Sequence, residues 1–217
     1  MAPHEYGERY YQDREAWPDF RAEIEAILRL AGLSRESRVL ELGCGGGELL
    51  RRLERRARLA VGVDLASAGL RLAQRKGLAA MCGRVERLPF ATGAFDAVVA
   101  QHLVEHLQNP TEALKEWRRV LKPSGILVLV TPNALYPDPS LFDDPAHCSL
   151  FTPATLRSAL EASGFRVTDL SALFPYLGQG RLARAISVRL AWLSRRVPGL
   201  TGMGRSIVAA ATSQGRP

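Results

Sequence analysis

Residues 38–47 read Arg38-Val39-Leu40-Glu41-Leu42-Gly43-Cys44-Gly45-Gly46-Gly47, and the helix-forming run Glu48-Leu49-Leu50-Arg51-Arg52-Leu53-Glu54 follows. An apolar stretch with β-branched character stops on glycines and gives way to good helix formers. That pattern predicts a buried strand, a tight turn and a helix. In an open parallel sheet a ligand sits at this place, at the carboxyl end of the first strand and beside the next helix. The spacing Glu41-x-Gly43-x-Gly45-x-Gly47 departs from the dinucleotide pattern G-x-G-x-x-G. Glu41 is the odd residue here, because a carboxylate within a buried strand needs a partner. A charge just below the loop suits a cationic group on a ligand.

Outward from this stretch, short apolar strands alternate with amphipathic helices. Pro18 opens a helix in which Phe20, Ile24, Ile27, Leu28 and Ala31 recur at helical spacing, and Gly32 stops it. The first strand is expected at 38–42 and its helix at 47–57. A second strand over Leu59–Val63 ends at Asp64, with a helix over 66–76. A third strand is expected at Leu78–Cys82 and a fourth at Ala94–Ala100. A helix over 110–121 and a fifth strand at Ile126–Thr131 follow. After the proline- and aspartate-rich loop 132–153, Thr152 caps a helix over 153–163 with Pro153 at its first position. Strands over 165–173 and 206–211 flank a helix at about 180–197. Nearly all-apolar strands alternating with helices predict a parallel sheet covered on both faces. Residues 1–17 show no clear periodicity and are expected to be a flap over a site or an edge packed on the domain.

Length and composition fit one globular domain. The chain has 217 residues, 47% hydrophobic and 24% charged, enough for a full core. Cys44, Cys82 and Cys148 lack C-x-x-C spacing, so neither a disulfide framework nor a zinc-ribbon pattern is expected, and Cys44 reads as a small buried side chain. The polar start and the lack of a long uncharged apolar run point to a cytoplasmic protein without signal peptide or membrane span. Of 29 basic residues only Lys76, Lys115 and Lys122 are lysines, and the net charge is +7. The arginines are spread along the chain and alternate with glutamates, so the charge reads mainly as solvated surface, and nucleic acid is not the expected partner.

Asp64 stands about 20 residues beyond the glycine loop, at the end of the second strand, where an acid accepts hydrogen bonds from ribose hydroxyls. With it the sequence shows, in order, V-L-E-L-G-C-G-G-G, V-G-V-D-L, R-L-P-F-A-T-G-A-F-D-A-V-V-A, E-H-L, R-V-L-K-P-S-G and T-P-N. Together these resemble the class I S-adenosylmethionine-dependent methyltransferases, and within them the branch acting on small molecules of quinone and natural-product pathways. The resemblance runs from about residue 36 to 171. It implies a Rossmann-like three-layer α/β sandwich whose seven-stranded, mostly parallel sheet has the order 3-2-1-4-5-7-6. It also implies a single domain over 1–217, with a flap and helix at 1–35 and substrate-side insertions at 132–153 and 174–204.

The resemblance further implies a site. Glu41, Gly43, Cys44 and Gly45 match the loop under the methionine half of S-adenosylmethionine. Asp64 matches the ribose-binding acid, and Leu65 would lie against the adenine. Val85 and Glu86 match the loop that reads the adenine edge. The family commonly has Gly-Asp-Ala there, whereas this chain has Gly83-Arg84-Val85, which leaves Glu86 as the acid. Gln101 and His102 match positions facing the sulfonium and its methyl, and His106 the family's hydrogen-bonded histidine. His147, in the long loop, is the candidate general base or acceptor-orienting group. The expected reaction is in-line transfer to a small-molecule acceptor, more at oxygen than at carbon or nitrogen. An RNA or protein acceptor, or cofactor binding without turnover, remain alternatives. No Asn/Asp-Pro-Pro-aromatic segment or cysteine nucleophile follows strand four, which speaks against methylation of nucleobases. Asp138, Asp143 and Asp144 near His147 read as turn-capping residues, so no metal is expected. In 181–197 a stripe of Leu182, Ile186, Leu190, Leu193 and Val197 faces several arginines and Trp192. That pattern fits a docked helix and also peripheral contact with an anionic membrane.

Overall fold

The computed structural model describes residues 7–15, 18–136, 146–173, 186, 189, 193, 196–197 and 203–214. Two helices, α1 (Glu8–Glu15) and α2 (Pro18–Ala31), lead into β1 (Arg38–Leu42) and α3 (Glu48–Glu54). Then come β2 (Leu59–Asp64), α4 (Ser67–Arg75), β3 (Ala80–Cys82), β4 (Phe95–Gln101) and a 3-10 turn at Val104–His106. The chain continues through α5 (Pro110–Val120), β5 (Leu121–Pro132), α6 (Pro153–Ala162), β6 (Phe165–Leu173) and β7 (Ser206–Ser213). The seven strands form one sheet in the order β3-β2-β1-β4-β5-β7-β6. β7 runs antiparallel to β5 and β6, while the pairs among β1 to β5 are parallel. The expected order and the seven strands therefore hold.

Alternation within the strands sends apolar side chains to both faces. On one face Leu40, Leu42, Val98 and Leu127 pack with Trp117 of α5 and Leu156 of α6. On the other, Val39, Val99 and Val128 pack with Ile24 and Ile27 of α2 and Leu49 of α3. Trp117 is fully buried and its indole N–H donates to the Val85 carbonyl at 3.0 Å, which fixes the loop after β3 to the core. The cap at Thr152 is as expected, with Thr155 completing a reciprocal pair of hydrogen bonds.

Four expectations need correction. Residues 8–15 form a helix although the run lacks an apolar stripe. Its support is tertiary: Arg75 of α4 donates to Glu8 at 2.7 Å, and the Tyr11 ring lies over Gly45 and Gly69. α3 ends at Glu54, earlier than expected, and β3 begins at Ala80, because Leu78 is spent packing under the glycine loop. β5 is longer, because Leu121 already pairs with Phe95 before the Ser124-Gly125 turn. Asp138, Asp143, Asp144 and most of 181–197 lie outside the described residues. Of the apolar stripe there, Ile186, Leu193 and Val197 are described and exposed. No helix among the described residues is long and apolar enough to cross a membrane.

Candidate active site

The carboxyl ends of β1, β2 and β4 open into a cavity of about 560 Å³, a size typical of small-molecule sites. The glycine loop forms one wall. Gly43 and Cys44 donate backbone N–H bonds to the Val63 carbonyl at 2.8 and 3.3 Å, and Gly47 donates to the Cys44 carbonyl at 2.8 Å. Asp64 straps the loop from the side: Oδ2 accepts from the Gly45 N–H and Oδ1 from the Ala66 N–H, both at 2.7 Å. Gly43, Gly45 and Gly47 all have positive φ, a conformation that costs other residues about 1 kcal/mol or more. At Gly45 a side chain is doubly excluded, because a Cβ would stand 2.8 Å from Tyr11 Cε1. Gly45→Ala is therefore expected to displace α1 from the loop. Limited proteolysis of the variant should cut within residues 7–15 much faster than in the parent.

Glu41 lines the cavity at 3% exposure. Its Oε2 is buried without a hydrogen-bond partner. Burial, and then the nearby Asp64 carboxylate, push its carboxyl well above the ordinary range. A buried, proton-holding carboxyl with a spare oxygen is poised for a cationic ligand group, which would hold it ionised. Farther along the same cavity Glu86 also has a buried, unpartnered Oε2, while Arg84 donates to its Oε1 at 3.1 Å. Cys44 is buried against Gly62, and burial raises its thiol far above the usual range, so it is a packing residue and not a nucleophile.

The end of β4 carries a buried charge network. His102 has φ 51, a strained value for a non-glycine residue. Its Nε2 lies 2.9 Å from Glu23 Oε2 and its Nδ1 3.1 Å from Glu105 Oε1. Glu23 also accepts from Gln101 Nε2 at 2.8 Å and Ser206 Oγ at 2.7 Å, and Glu105 accepts from Thr131 Oγ1 at 3.0 Å. Burial disfavours the charge on His102, but the Glu23 carboxylate and the two hydrogen bonds outweigh it and raise the imidazole to about 9. Burial likewise opposes ionisation of Glu23, and the His102 charge with three hydrogen bonds reverses this, holding it at about 2. His102 is thus a fixed imidazolium with both ring N–H groups committed, which excludes it as a base at neutral pH.

The cavity brings together the expected residues Glu41, Gly43, Cys44, Gly45, Asp64, Leu65, Val85, Glu86, Gln101 and His102. His106 lines it as well, its Nδ1 3.0 Å from the Ala146 carbonyl. His147 stands slightly apart. Its neighbours Ala146 and Cys148 line the wall, and its ring centroid is 4.9 Å from that of His106. Three residues escaped the sequence reading. Glu23 had a signal, being an acid on the apolar stripe of α2. Glu105 was visible within Glu-His but its carboxylate had no assigned partner. Arg14, on the cavity wall, had no local signal.

Comparison with known proteins identifies the family. The family model described as "Methyltransferase domain" matches residues 11–170. Ubiquinone biosynthesis O-methyltransferase of Xanthomonas oryzae pv. oryzae is 37% identical over 117 residues, covering 51% of this chain and 47% of the relative. The chain thus spans about half the length of that curated relative. The protein of the same name from Azorhizobium caulinodans is 30% identical over 191 residues, covering 76% of this chain and 72% of the relative. In fold, the chain is similar to phosphoethanolamine N-methyltransferase 2 of Haemonchus contortus, solved in complex with S-adenosyl-L-methionine. That likeness has a TM-score of 0.74 at 16% identity and covers 98% of this chain and 58% of that one. The spare Glu41 oxygen suits a cofactor that carries a sulfonium and an ammonium group. The chain belongs to the methyltransferase domain family, and within it to the class I S-adenosylmethionine-dependent enzymes.

Proposed function

We propose that the protein transfers the methyl group of S-adenosylmethionine to a hydroxyl oxygen of a small-molecule acceptor. The observation that carries the donor half is Glu41, a buried carboxyl that lines the cavity at the glycine loop and whose Oε2 has no hydrogen-bond partner. In this reading Gly43, Cys44 and Gly45 let the backbone approach the methionine portion. Asp64 keeps lone pairs for the ribose hydroxyls besides the two it spends on the loop. Leu65 and Val85 flank the adenine, and Glu86 Oε2 accepts from its amino group. Arg84, where the family usually has an acid, pairs with the other oxygen of Glu86 and leaves this contact available.

Gln101 and the His102 imidazolium form the wall beside the transferred methyl. Sulfonium sulfur is already a good leaving group, so alignment supplies most of the rate. The acceptor oxygen's electron pair forms the bond to the methyl carbon, the S–C pair returns to sulfur, and the hydroxyl proton leaves. His102 cannot take that proton. The acceptor end lies toward His106 and the segment 146–150, where His147 stands ready to orient the hydroxyl or receive its proton. Oxygen as the acceptor atom is supported by the relatives named as O-methyltransferases.

The test is label transfer from methyl-labelled S-adenosylmethionine to a panel of phenols and catechols, amines, RNA and peptides. We expect label on a hydroxyl compound. Label confined to amines, RNA or peptide would overturn the reading, as would cofactor binding with no acceptor labelled.

A further inference from the structure

At the acceptor end, His106 lines the cavity and two further side chains, Glu105 and His147, stand against it outside the lining. Glu105, His106 and His147 bring one carboxylate oxygen and two imidazole nitrogens within 4.8 Å of one another. They come from two segments clamped together. The N–H groups of Cys148 and Ser149 donate to the Glu105 carbonyl at 2.8 and 2.9 Å, and Ser149 Oγ donates to the Leu107 carbonyl at 2.9 Å. The cluster is therefore held by backbone rather than by chance contact of long side chains.

His106 and Glu105 are also oriented from behind. A carbonyl only accepts, so the 3.0 Å contact with Ala146 puts the proton of His106 on Nδ1 and leaves the Nε2 lone pair for a ligand. Metal-binding histidines are commonly fixed in this way, by a backbone carbonyl on the far nitrogen. Glu105 is 1% exposed, and its oxygens are aimed by His102 Nδ1 and Thr131 Oγ1 with further lone pairs remaining. Ligand atoms around a tetrahedral zinc lie about 3.3 Å apart, from bonds of about 2.0–2.1 Å. From separations within 4.8 Å the ligand atoms have to close by roughly 1.5 Å at most, which side-chain torsions can supply.

We propose that Glu105, His106 and His147 form a three-ligand site for a divalent transition metal of the zinc class, with its open position toward the acceptor. Two imidazoles and one carboxylate plus an open position is a catalytic zinc donor set, and imidazole nitrogen disfavours calcium and magnesium. This departs from the sequence expectation, which considered His147 together with Asp138, Asp143 and Asp144 and expected no metal. The catalytic part of the proposal rests on the O-methylation reading. Beside a dication an acceptor hydroxyl gives its proton to water more readily, and its oxygen then attacks the methyl as above. His147 thereby acts as a ligand and not as the base.

The test is calorimetric titration of zinc chloride into the chelator-treated full chain, with magnesium and manganese as comparison ions. Cofactor affinity is measured on the same samples. We expect one zinc per chain at micromolar affinity or tighter. His106→Ala and His147→Ala should weaken it at least a hundredfold with cofactor affinity kept, and His147→Gln serves if an alanine variant does not fold. No zinc binding by the parent chain, or equal binding by both variants, would overturn the site. Zinc binding without methylation of any hydroxyl acceptor supports the site and sinks the O-methylation reading. Hydroxyl methylation that continues undiminished in chelator, with no zinc bound, sinks the site and leaves that reading standing with His147 as base.

Discussion

Glu41→Gln weakens S-adenosylmethionine binding by roughly ten- to a hundredfold and at the same time stabilises the cofactor-free protein. The first effect follows from removing the negative partner of a buried cation. A hydrogen bond to a charged group contributes about 1.5–3 kcal/mol, and each 1.4 kcal/mol is tenfold in affinity. The second follows from the direction of the carboxyl's shift. Burial and the Asp64 charge raise it well above its unfolded value, so its stabilising contribution is complete at acid pH and is lost as pH rises through the folded value. Glutamine carries no such cost. Calorimetric affinity and thermal unfolding of the two proteins at neutral pH measure both signs at once. A variant that lost affinity and stability together would show that Glu41 serves the fold and not the ligand.

Glu23→Gln is expected to cost about 3 kcal/mol of stability, the lower end for breaking a buried ion pair, because Glu105 remains beside His102. In a domain of this size that corresponds to a drop of roughly 10 °C in melting temperature. The pH dependence is more specific. Glu23, held at about 2 against an ordinary 4.5, contributes fully above 4.5 and loses its contribution as pH falls toward 2. His102, raised from 6.5 to about 9, contributes fully below 6.5 and loses its contribution as pH rises through 9. The stability difference between parent and variant is therefore largest between about 4.5 and 6.5 and shrinks on both sides. Denaturant unfolding of the cofactor-free proteins across that range measures it. A difference independent of pH would show that packing, and not charge, links α2 to the end of β4.

The donor half of the site was legible because its parts are local and ordered along the chain. A strand, a glycine turn with left-handed φ and an acid at the next strand's end specify one corner of a doubly wound sheet. The sheet order came from the family resemblance that these and the later motifs carry, and the structure has it. What could not be read locally was the partner of each charge. Glu23 meets His102 across 79 positions of sequence, and a glutamate on a helix stripe does not say which residue it will face. His102 is the example: its place just after β4 was legible, but not that Glu23 and Glu105 occupy its two ring nitrogens. His147 is a second example. Nothing in its loop sequence names His106 as a neighbour, and the backbone clamp at Glu105 brings the two rings together. α1 had no stripe to betray it, since Tyr11 packs on glycines of the loop and α4 and not on a core face.

The most direct test of the central claim is calorimetric titration of S-adenosylmethionine into the protein in two buffers of different ionisation heat, over a range of pH. The expected result is one cofactor per chain and release of a proton from Glu41 on binding at acid pH. That release should fade as pH rises through the shifted carboxyl value and be absent in Glu41→Gln. Binding with the same proton count in parent and variant would contradict the placement of the cation at Glu41. Absence of binding would contradict the account as a whole.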